Sequence, residues 1–309
     1  MLIKNQNPKN RTITIPVLGL TNSGKSTFIN NITGNHLNLI SKHPQATRNS
    51  IHSVYHKDFY ELVFVDMPGF FETISLELNL RMKGEIDKNL KENFFLLLID
   101  SSRYELKYLI PFLKDLHLKK TWIIFTKKDL NENFLAENAF QELKTTFPNL
   151  HLEKFFFNFT YEELRKELFS LTESRHHVYP HGDLSDKNIR FFAAEFIREA
   201  AIENLRDEVP FETTVLIEDF KEALDGKIAH IHASIVVNRP GQKTILIGKN
   251  GDLIKNIGIK ARKKIEELVG GQVFLGLHVK VTPKWFKNNR LLEELGLFRT
   301  KESVRVWRK

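Results

Sequence analysis

One octapeptide, Gly19-Leu20-Thr21-Asn22-Ser23-Gly24-Lys25-Ser26, limits the folds open to this chain more than anything else in it. It matches G-x-x-x-x-G-K-[ST], follows the apolar run Thr12–Leu18 and opens a helical pattern at Ser26-Thr27-Phe28-Ile29. The glycines let the backbone curl so that successive N–H groups face inward as an anion nest. The N-terminus of the following helix adds partial positive charge at the same point. Lys25 then supplies a full charge for β- and γ-phosphates, and Ser26 a hydroxyl for Mg²⁺. The expected ligand is a nucleoside triphosphate, with Gly19, Asn22, Ser23, Gly24, Lys25, Ser26 and Thr27 forming its cradle.

The residues that follow fit a doubly wound α/β domain. Strand-type runs at Thr12–Leu18, Ile51–His56, Tyr60–Asp66, Phe94–Asp100, Thr121–Thr126 and Lys154–Phe159 alternate with helical patterns. Those patterns lie after Lys25 and across Leu76–Leu90, Tyr104–Leu116 and Leu135–Lys144. Only Lys57-Asp58-Phe59 separates the second and third runs, which predicts a hairpin; the other strands need crossover helices. The expectation is a mixed sheet, mostly parallel with one antiparallel strand. Pro16 has no N–H to donate, which predicts a bulge or an outward-facing nitrogen in the first strand.

Three further segments narrow the chemistry. Asp66-Met67-Pro68-Gly69 ends the third run, where a carboxylate can hold Mg²⁺ through water and a glycine leaves backbone open to a γ-phosphate. Thr126-Lys127-Lys128-Asp129 ends the fifth run. A carboxylate there accepts two hydrogen bonds from guanine N–H groups, which adenine does not offer, and the Lys127 stem can cover the base. Thr47, in Pro44-Gln45-Ala46-Thr47-Arg48, lies in the loop before the second strand, as either a nucleotide-sensing Mg²⁺ ligand or a plain turn residue. The expected catalytic set is Lys25, Thr47, Asp66 and Gly69, with Ser26, Thr47 and Asp66 serving Mg²⁺.

Composition enters as a set of exclusions. There is no cysteine, which removes thiol catalysis, iron–sulfur ligation and cysteine zinc sites, and fits a reducing compartment. No window approaches 18 uninterrupted apolar residues, so no transmembrane helix and no secretory leader are expected. At 309 residues, two domains are expected. Net charge is +8 and uneven: residues 181–238 carry 6 basic and 12 acidic side chains, residues 239–309 carry 17 and 6. The final quarter is therefore either a polyanion-binding face or a solvated basic surface.

Thr172–Lys187 lacks periodicity and is rich in His, Asp, Ser, Gly and Pro, which places the boundary there. The expected organisation is a nucleotide-binding domain over 1–172, a linker over 173–187 and a second α/β module over 188–309. Within that module, helices are expected at Asn188–Leu205, near Thr244 and at Asp252–Val269, and strands at Thr213–Phe220, Ile228–Asn238 and Gln272–Thr282. Gly248-Lys249-Asn250-Gly251 falls between two of the helices, as G-x-x-G does in K-homology domains. Its glycines let a nucleic-acid backbone come close, with Lys243, Lys249, Asn250 and Lys255 as candidate RNA contacts and Lys260, Arg262, Lys263 and Lys264 adding longer-range charge. Ile245, Ile247, Leu253, Ile254 and Ile257 either floor a groove for bases or fill the core, core being the default for most. The histidine pairs His176-His177 and His230-x-His232 show no ligand spacing with carboxylates, so no histidine metal site is expected. Trp285 and Trp307 could stack on bases, with a packed terminal element the default, and the tail FRTKESVRVWRK is expected to be solvated, with RNA or anionic membrane as its other possible contacts.

These motifs together resemble the Era family of GTPases, through GLTNSGKST, PQATR, DMPG and TKKD, and then IREAAIENL, EVPFETTV, GQKTILIGKNGDLIKNIGIKARKKIEEL and VFLGLHVKV. The resemblance covers nearly the whole chain. It implies a GTPase domain followed by a type II K-homology domain that binds near the 3′ end of small-subunit ribosomal RNA and assists assembly of that subunit. A monomer in the cytoplasm is expected, with peripheral contact at the inner membrane face left open. Phe70 stands where Ras-like proteins carry the glutamine that orients water, so intrinsic hydrolysis should be slow. Asn22 matches either a potassium-coordinating asparagine of related GTPases or a loop residue bonded to its own backbone. Thr126 replaces the family's Asn, and Asn158-Phe159 replaces a Ser-Ala pair in a loop about four residues shorter, which puts guanine affinity in question. Two alternatives follow: an RNA-binding assembly chaperone with weak or vestigial hydrolysis, and an ATP-dependent enzyme, which Asp129 disfavours.

Overall fold

The computed structural model describes residues 9–38, 50–68, 91–114, 119–203, 205, 209–210, 212–222 and 228–295. The chain divides into two compact units that meet in sequence between Asp186 and Lys187.

In the first unit β1 (Arg11–Gly19), β2 (Ile51–Lys57), β3 (Tyr60–Asp66), β4 (Phe94–Asp100), β5 (Lys120–Thr126) and β6 (Leu152–Phe156) form one sheet in the order β2-β3-β1-β4-β5-β6. β2 runs antiparallel to β3, and the β3-β1-β4-β5-β6 pairings are parallel. This is the mixed sheet expected from the alternation of patterns. Strand order reverses at β1, so a crevice opens beyond the carboxyl ends of β1 and β4, where doubly wound sheets hold their ligands.

Helices cover both faces because the central strands are apolar on both. On one face α1 (Lys25–Thr33) and α4 (Tyr161–Ser170) bring Phe28, Ile29, Ile32, Leu164 and Leu168 onto Ile15, Val17, Leu62 and Phe64. On the other, α2 (Leu106–Leu113) and α3 (Ala136–Thr146) bring Leu109, Leu113, Phe140 and Leu143 onto Leu18, Val65, Phe95 and Leu97. α4 was not among the sequence expectations; Thr160 caps it through a reciprocal box with Glu163. The expected helix over Leu76–Leu90 lies outside the described residues. The β1–β3 register runs unbroken through Pro16, so the expected bulge is absent; β4 pairs with β1 only from Val17 onward, which leaves the proline with one ladder neighbour.

The segment read as a linker is hydrogen-bonded onto the first unit. Glu173–Ser174 (β7) pairs antiparallel with β1, Leu184 O accepts from Val54 N at 2.9 Å, and Asp186 Oδ1 accepts from His52 N at 2.9 Å. The polar composition that marked a boundary supplies groups that satisfy the free edge of β2 and the start of β1.

The second unit has α5 (Ile189–Ile202), β8 (Thr214–Lys221), β9 (Ala229–Val237), α6 (Pro240–Ile247), α7 (Asp252–Val269) and β10 (Val273–Val281) in that order. β9 is central, parallel to β10 and antiparallel to β8. α5 and α7 pack on each other, α5 also against β8 and α7 against β10. Trp285 is buried as expected and donates from Nε1 to Glu212 O at 2.8 Å. Trp307 lies outside the described residues.

Candidate functional site

The phosphate loop joins β1 to α1 at the strand-order reversal. Gly19 has φ 154°, and a Cβ there would sit 2.5 Å from Leu98 O and 2.6 Å from Ser23 Oγ, so no larger residue fits. Gly24 has φ 87°, a left-handed conformation that glycine adopts without strain. Asn22 is left-handed as well, at φ 59°, which asparagine tolerates. Among the described residues no side chain caps α1, which leaves its first amides to an anion, and the buried Ser23 Oγ has no hydrogen-bond partner. Thr27 is exposed on the first turn.

Lys25 folds back over the loop and donates from Nζ to Gly19 O at 3.1 Å and Leu20 O at 2.9 Å. Burial pushes its pKa from 10.5 down to about 8, and the Asp66 carboxylate opposes part of that shift. The sign follows from linkage. Between about pH 8 and 10.5 the unfolded chain holds the Lys25 proton that the nucleotide-free fold has released, so folding stability rises with pH across that window. The unfolding free energy of the wild-type chain minus that of Lys25→Met should therefore rise by a few kcal/mol from pH 7.5 to about 10.5, measured by urea unfolding without nucleotide. A difference that stays level would remove the buried ammonium from this account.

Ser26 Oγ donates to Asp66 Oδ2 at 2.7 Å, which places a hydroxyl and a carboxylate side by side at the end of β3. Both are hard oxygen donors, the chemistry Mg²⁺ prefers, and the pair fits that ion. Thr47, Gly69 and Phe70 lie outside the described residues.

At the end of β5 the Thr126 hydroxyl reaches Ser23 O at 2.8 Å and Ile99 O at 3.2 Å, tying the base-recognition segment to the phosphate loop. Lys127, left-handed at φ 56°, pairs through Nζ with Asp100 Oδ2 at 2.6 Å. That pair stretches its aliphatic stem between β5 and β4. Asp129 is exposed in the single turn Lys128–Leu130. Ser101 Oγ donates to Thr126 O at 2.7 Å, and Asn131 Nδ2 donates to Ser101 O at 3.0 Å. Asp100, Ser101 and Asn131 were not singled out from the sequence. Asp100 had one available signal, its position at the carboxyl end of a central parallel strand.

The altered segment after β6 is held by its phenylalanines. Phe155 and Phe157 pack on the α2–α3 face, Phe156 and Phe159 on the α1–α4 face, and exposed Asn158 lies between them. A loop anchored on both faces of the sheet can be short.

The second candidate site lies between α6 and α7. Gly248 has φ 73°, and a Cβ there would meet Leu253 Cβ at 2.7 Å, so glycine is required by packing as well as conformation. Asn250 and Gly251 are left-handed at φ 54° and 82°, and among the described residues no side chain caps the start of α7. Lys243, Lys249, Asn250 and Lys255 are all exposed. The three lysines make no ion pair among the described residues, whereas Lys260 pairs with Glu203 at 2.9 Å and Lys264 with Glu199 at 2.5 Å. The positive charge is thus concentrated at the turn. Of the five apolar candidates only Ile257 is buried; Ile247, Leu253 and Ile254 are partly covered and Ile245 is 51% exposed. Only Ile257 is a core residue in full; Ile245 and Ile247 on α6 and Leu253 and Ile254 on α7 keep part of their surface open beside the turn.

Comparison with known proteins agrees with both units. The family model for 50S ribosome-binding GTPases matches residues 14–127, and the KH-domain model matches residues 208–286. GTPase Era of Ectopseudomonas mendocina is 35% identical over 300 residues, covering 94% of this chain and 98% of that protein. GTPase Era of Thermotoga maritima is 34% identical, covering 92% and 96%. Among solved structures, Era in complex with MgGDPNP and nucleotides 1506–1542 of 16S ribosomal RNA superposes with a TM-score of 0.82 at 27% identity, covering 93% of this chain and 99% of that one. A variant of Aquifex aeolicus Era bound to GDP·AlF4⁻ gives the same TM-score, identity and coverage.

Proposed function

Because the chain belongs to the Era family of GTPases, we propose that it is a slowly hydrolysing GTP switch whose second unit binds small-subunit ribosomal RNA and assists assembly of that subunit. The observation that carries the nucleotide half is the convergence of Lys25, Ser26, Asp66 and Thr126 on one loop at the sheet's switch point.

In this mechanism the loop amides and Lys25 hold the β- and γ-phosphates, while Ser26 and Asp66 hold Mg²⁺, joined by Thr47 when a γ-phosphate is present. Bound Mg²⁺ supplies charge that offsets what develops on the β–γ oxygens. Asp129 accepts the guanine N–H groups and the Lys127 stem covers the ring. The Thr126 hydroxyl, engaged with Ser23 O, sets the distance between base and phosphate subsites. Gly69 presents backbone to the γ-phosphate, and Asn158 occupies the edge of the base subsite. None of these side chains is a general base for water, and Phe70 offers none, so turnover of the isolated chain is slow. Asn22 would supply an oxygen to a potassium ion, whose charge would offset that of the phosphates.

The RNA half rests on the Gly248–Gly251 turn, where Lys243, Lys249 and Lys255 meet phosphates and the uncovered Ile245, with Ile247, Leu253 and Ile254, receives unstacked bases. The similarity to an Era solved with a 16S fragment supports this choice of RNA. A monomer in the cytoplasm, with the basic tail at RNA or at the inner membrane face, completes the proposal. The test is single-turnover GTP hydrolysis with and without small ribosomal subunits, in potassium and in sodium. Both additions are expected to raise the rate; a rate already maximal for the pure protein and indifferent to both would overturn the switch.

A further inference from the structure

The histidine-rich stretch 176–181 gave no metal pattern along the sequence, yet the fold brings part of it onto the hairpin β2–β3. His56, Glu61 and His177 each present a ligand atom, and these atoms all lie within 4.8 Å of one another. His56 Nε2 is 3.2 Å from Glu61 Oε1, close to the roughly 3.3 Å edge of a tetrahedron with 2.0–2.1 Å metal–ligand bonds.

The surroundings resemble the outer shell of a metal centre. Glu61 is fully buried. Its Oε2 accepts from Thr12 Oγ1 at 2.5 Å and Val178 N at 2.7 Å, and its Oε1 from Tyr179 N at 2.9 Å. Burial works to raise the Glu61 pKa and is outweighed by the bonds from His56, Thr12, Val178 and Tyr179, so the carboxylate is held below its ordinary range. His177 Nε2 lies 2.9 Å from Phe59 O, and donation there makes Nδ1 the lone-pair atom of the neutral ring. One ring nitrogen on a backbone carbonyl and the other toward the ion is how ligating histidines are usually oriented. The His181 ring stacks on His56 with centroids 4.6 Å apart and helps hold that imidazole in place, leaving the fourth position to water.

We propose that His56, Glu61 and His177 bind one transition-metal dication of the zinc class, pinning the 173–186 segment to the β2–β3 hairpin. Two imidazoles and one carboxylate favour zinc, cobalt or nickel over Mg²⁺ and Ca²⁺. Binding through His56 Nε2 places that ring's proton on Nδ1 and exchanges the His56–Glu61 hydrogen bond for bonds from both groups, and from His177, to the metal.

The test uses the full chain, stripped of metal and saturated with GDP and Mg²⁺ so that the nucleotide site is occupied. Zinc is titrated against a chromophoric chelator, and cobalt by the visible bands of a four-coordinate ion, at about pH 7.5. One equivalent should bind. His177→Gln and His56→Gln should each weaken it at least tenfold (about the lower effect of lost outer-shell partners) with GDP affinity unchanged, and the exposed pair His230→Gln/His232→Gln should leave it intact. Absence of stoichiometric binding to the wild-type chain, or binding that survives both single substitutions, would overturn the proposal and leave Glu61 as a hydrogen-bonded clamp.

Discussion

Asp129→Asn is expected to weaken GTP binding by about 10²- to 10⁴-fold and to shift preference to XTP. The range follows from two charge-assisted hydrogen bonds of about 1.5–3 kcal/mol each, at about 1.4 kcal/mol per tenfold. An Asn side chain offers one acceptor and one donor edge, which suits a base carrying a carbonyl where guanine carries its amine. The structure raises the weight on this single carboxylate. The Thr126 hydroxyl is engaged with Ser23 O and Ile99 O, and the 157–160 loop is short and anchored by phenylalanines. Base identity therefore has few other readers. Competition of GTP, XTP and ATP for one labelled nucleotide measures the shift, and a variant that still prefers GTP would show that Asp129 does not read the base.

Gly251→Asp should reduce affinity for a single-stranded small-subunit RNA fragment by about 10²- to 10³-fold while GDP affinity holds. A carboxylate about 4 Å from a phosphate at an effective dielectric near 20 costs up to about 4 kcal/mol. The site tolerates the change structurally: no heavy atom of the described residues beyond the turn's own neighbours lies within 4 Å of a Cβ at Gly251, and Asp accepts the left-handed φ of 82° better than most residues. Gly248 would be a poor choice for the same experiment, because its Cβ would drive into Leu253. Filter binding across a salt series reads both affinity and slope, and wild-type binding should fall steeply as salt rises. Loss of RNA and GDP binding together would signal unfolding rather than a blocked phosphate path.

The local elements were largely written in the chain. α7 spans Asp252–Val269, the range expected from its periodicity, and the strands carrying Asp66, Asp100 and Thr126 end where the pattern ends them. α4 escaped because Tyr161–Ser170 mixes charge and apolar residues weakly, although Thr160 and Glu163 spelled its cap. Residues 173–187 misled because polar, turn-rich composition marks solvated loops and hydrogen-bonded edge straps alike. Thr126 could be recognised as a departure from Asn, but its bond to Ser23 O joins residues 103 apart.

What the sequence determined alone was whatever depends on residues a few positions apart: the amide nest at 19–26, the alternation that makes a doubly wound sheet, the glycine turn at 248–251 and the family they identify. Backbone sterics and helix or strand periodicity act over that range, so they leave their mark in order. What only the tertiary structure decided was which distant side chains share an environment. His56, Glu61 and His177 converge because two hairpin strands and a returning strap bury one carboxylate, and Asp100 meets Lys127 because β4 and β5 are neighbours. Such contacts follow from the packing of whole elements, which no spacing along the chain records.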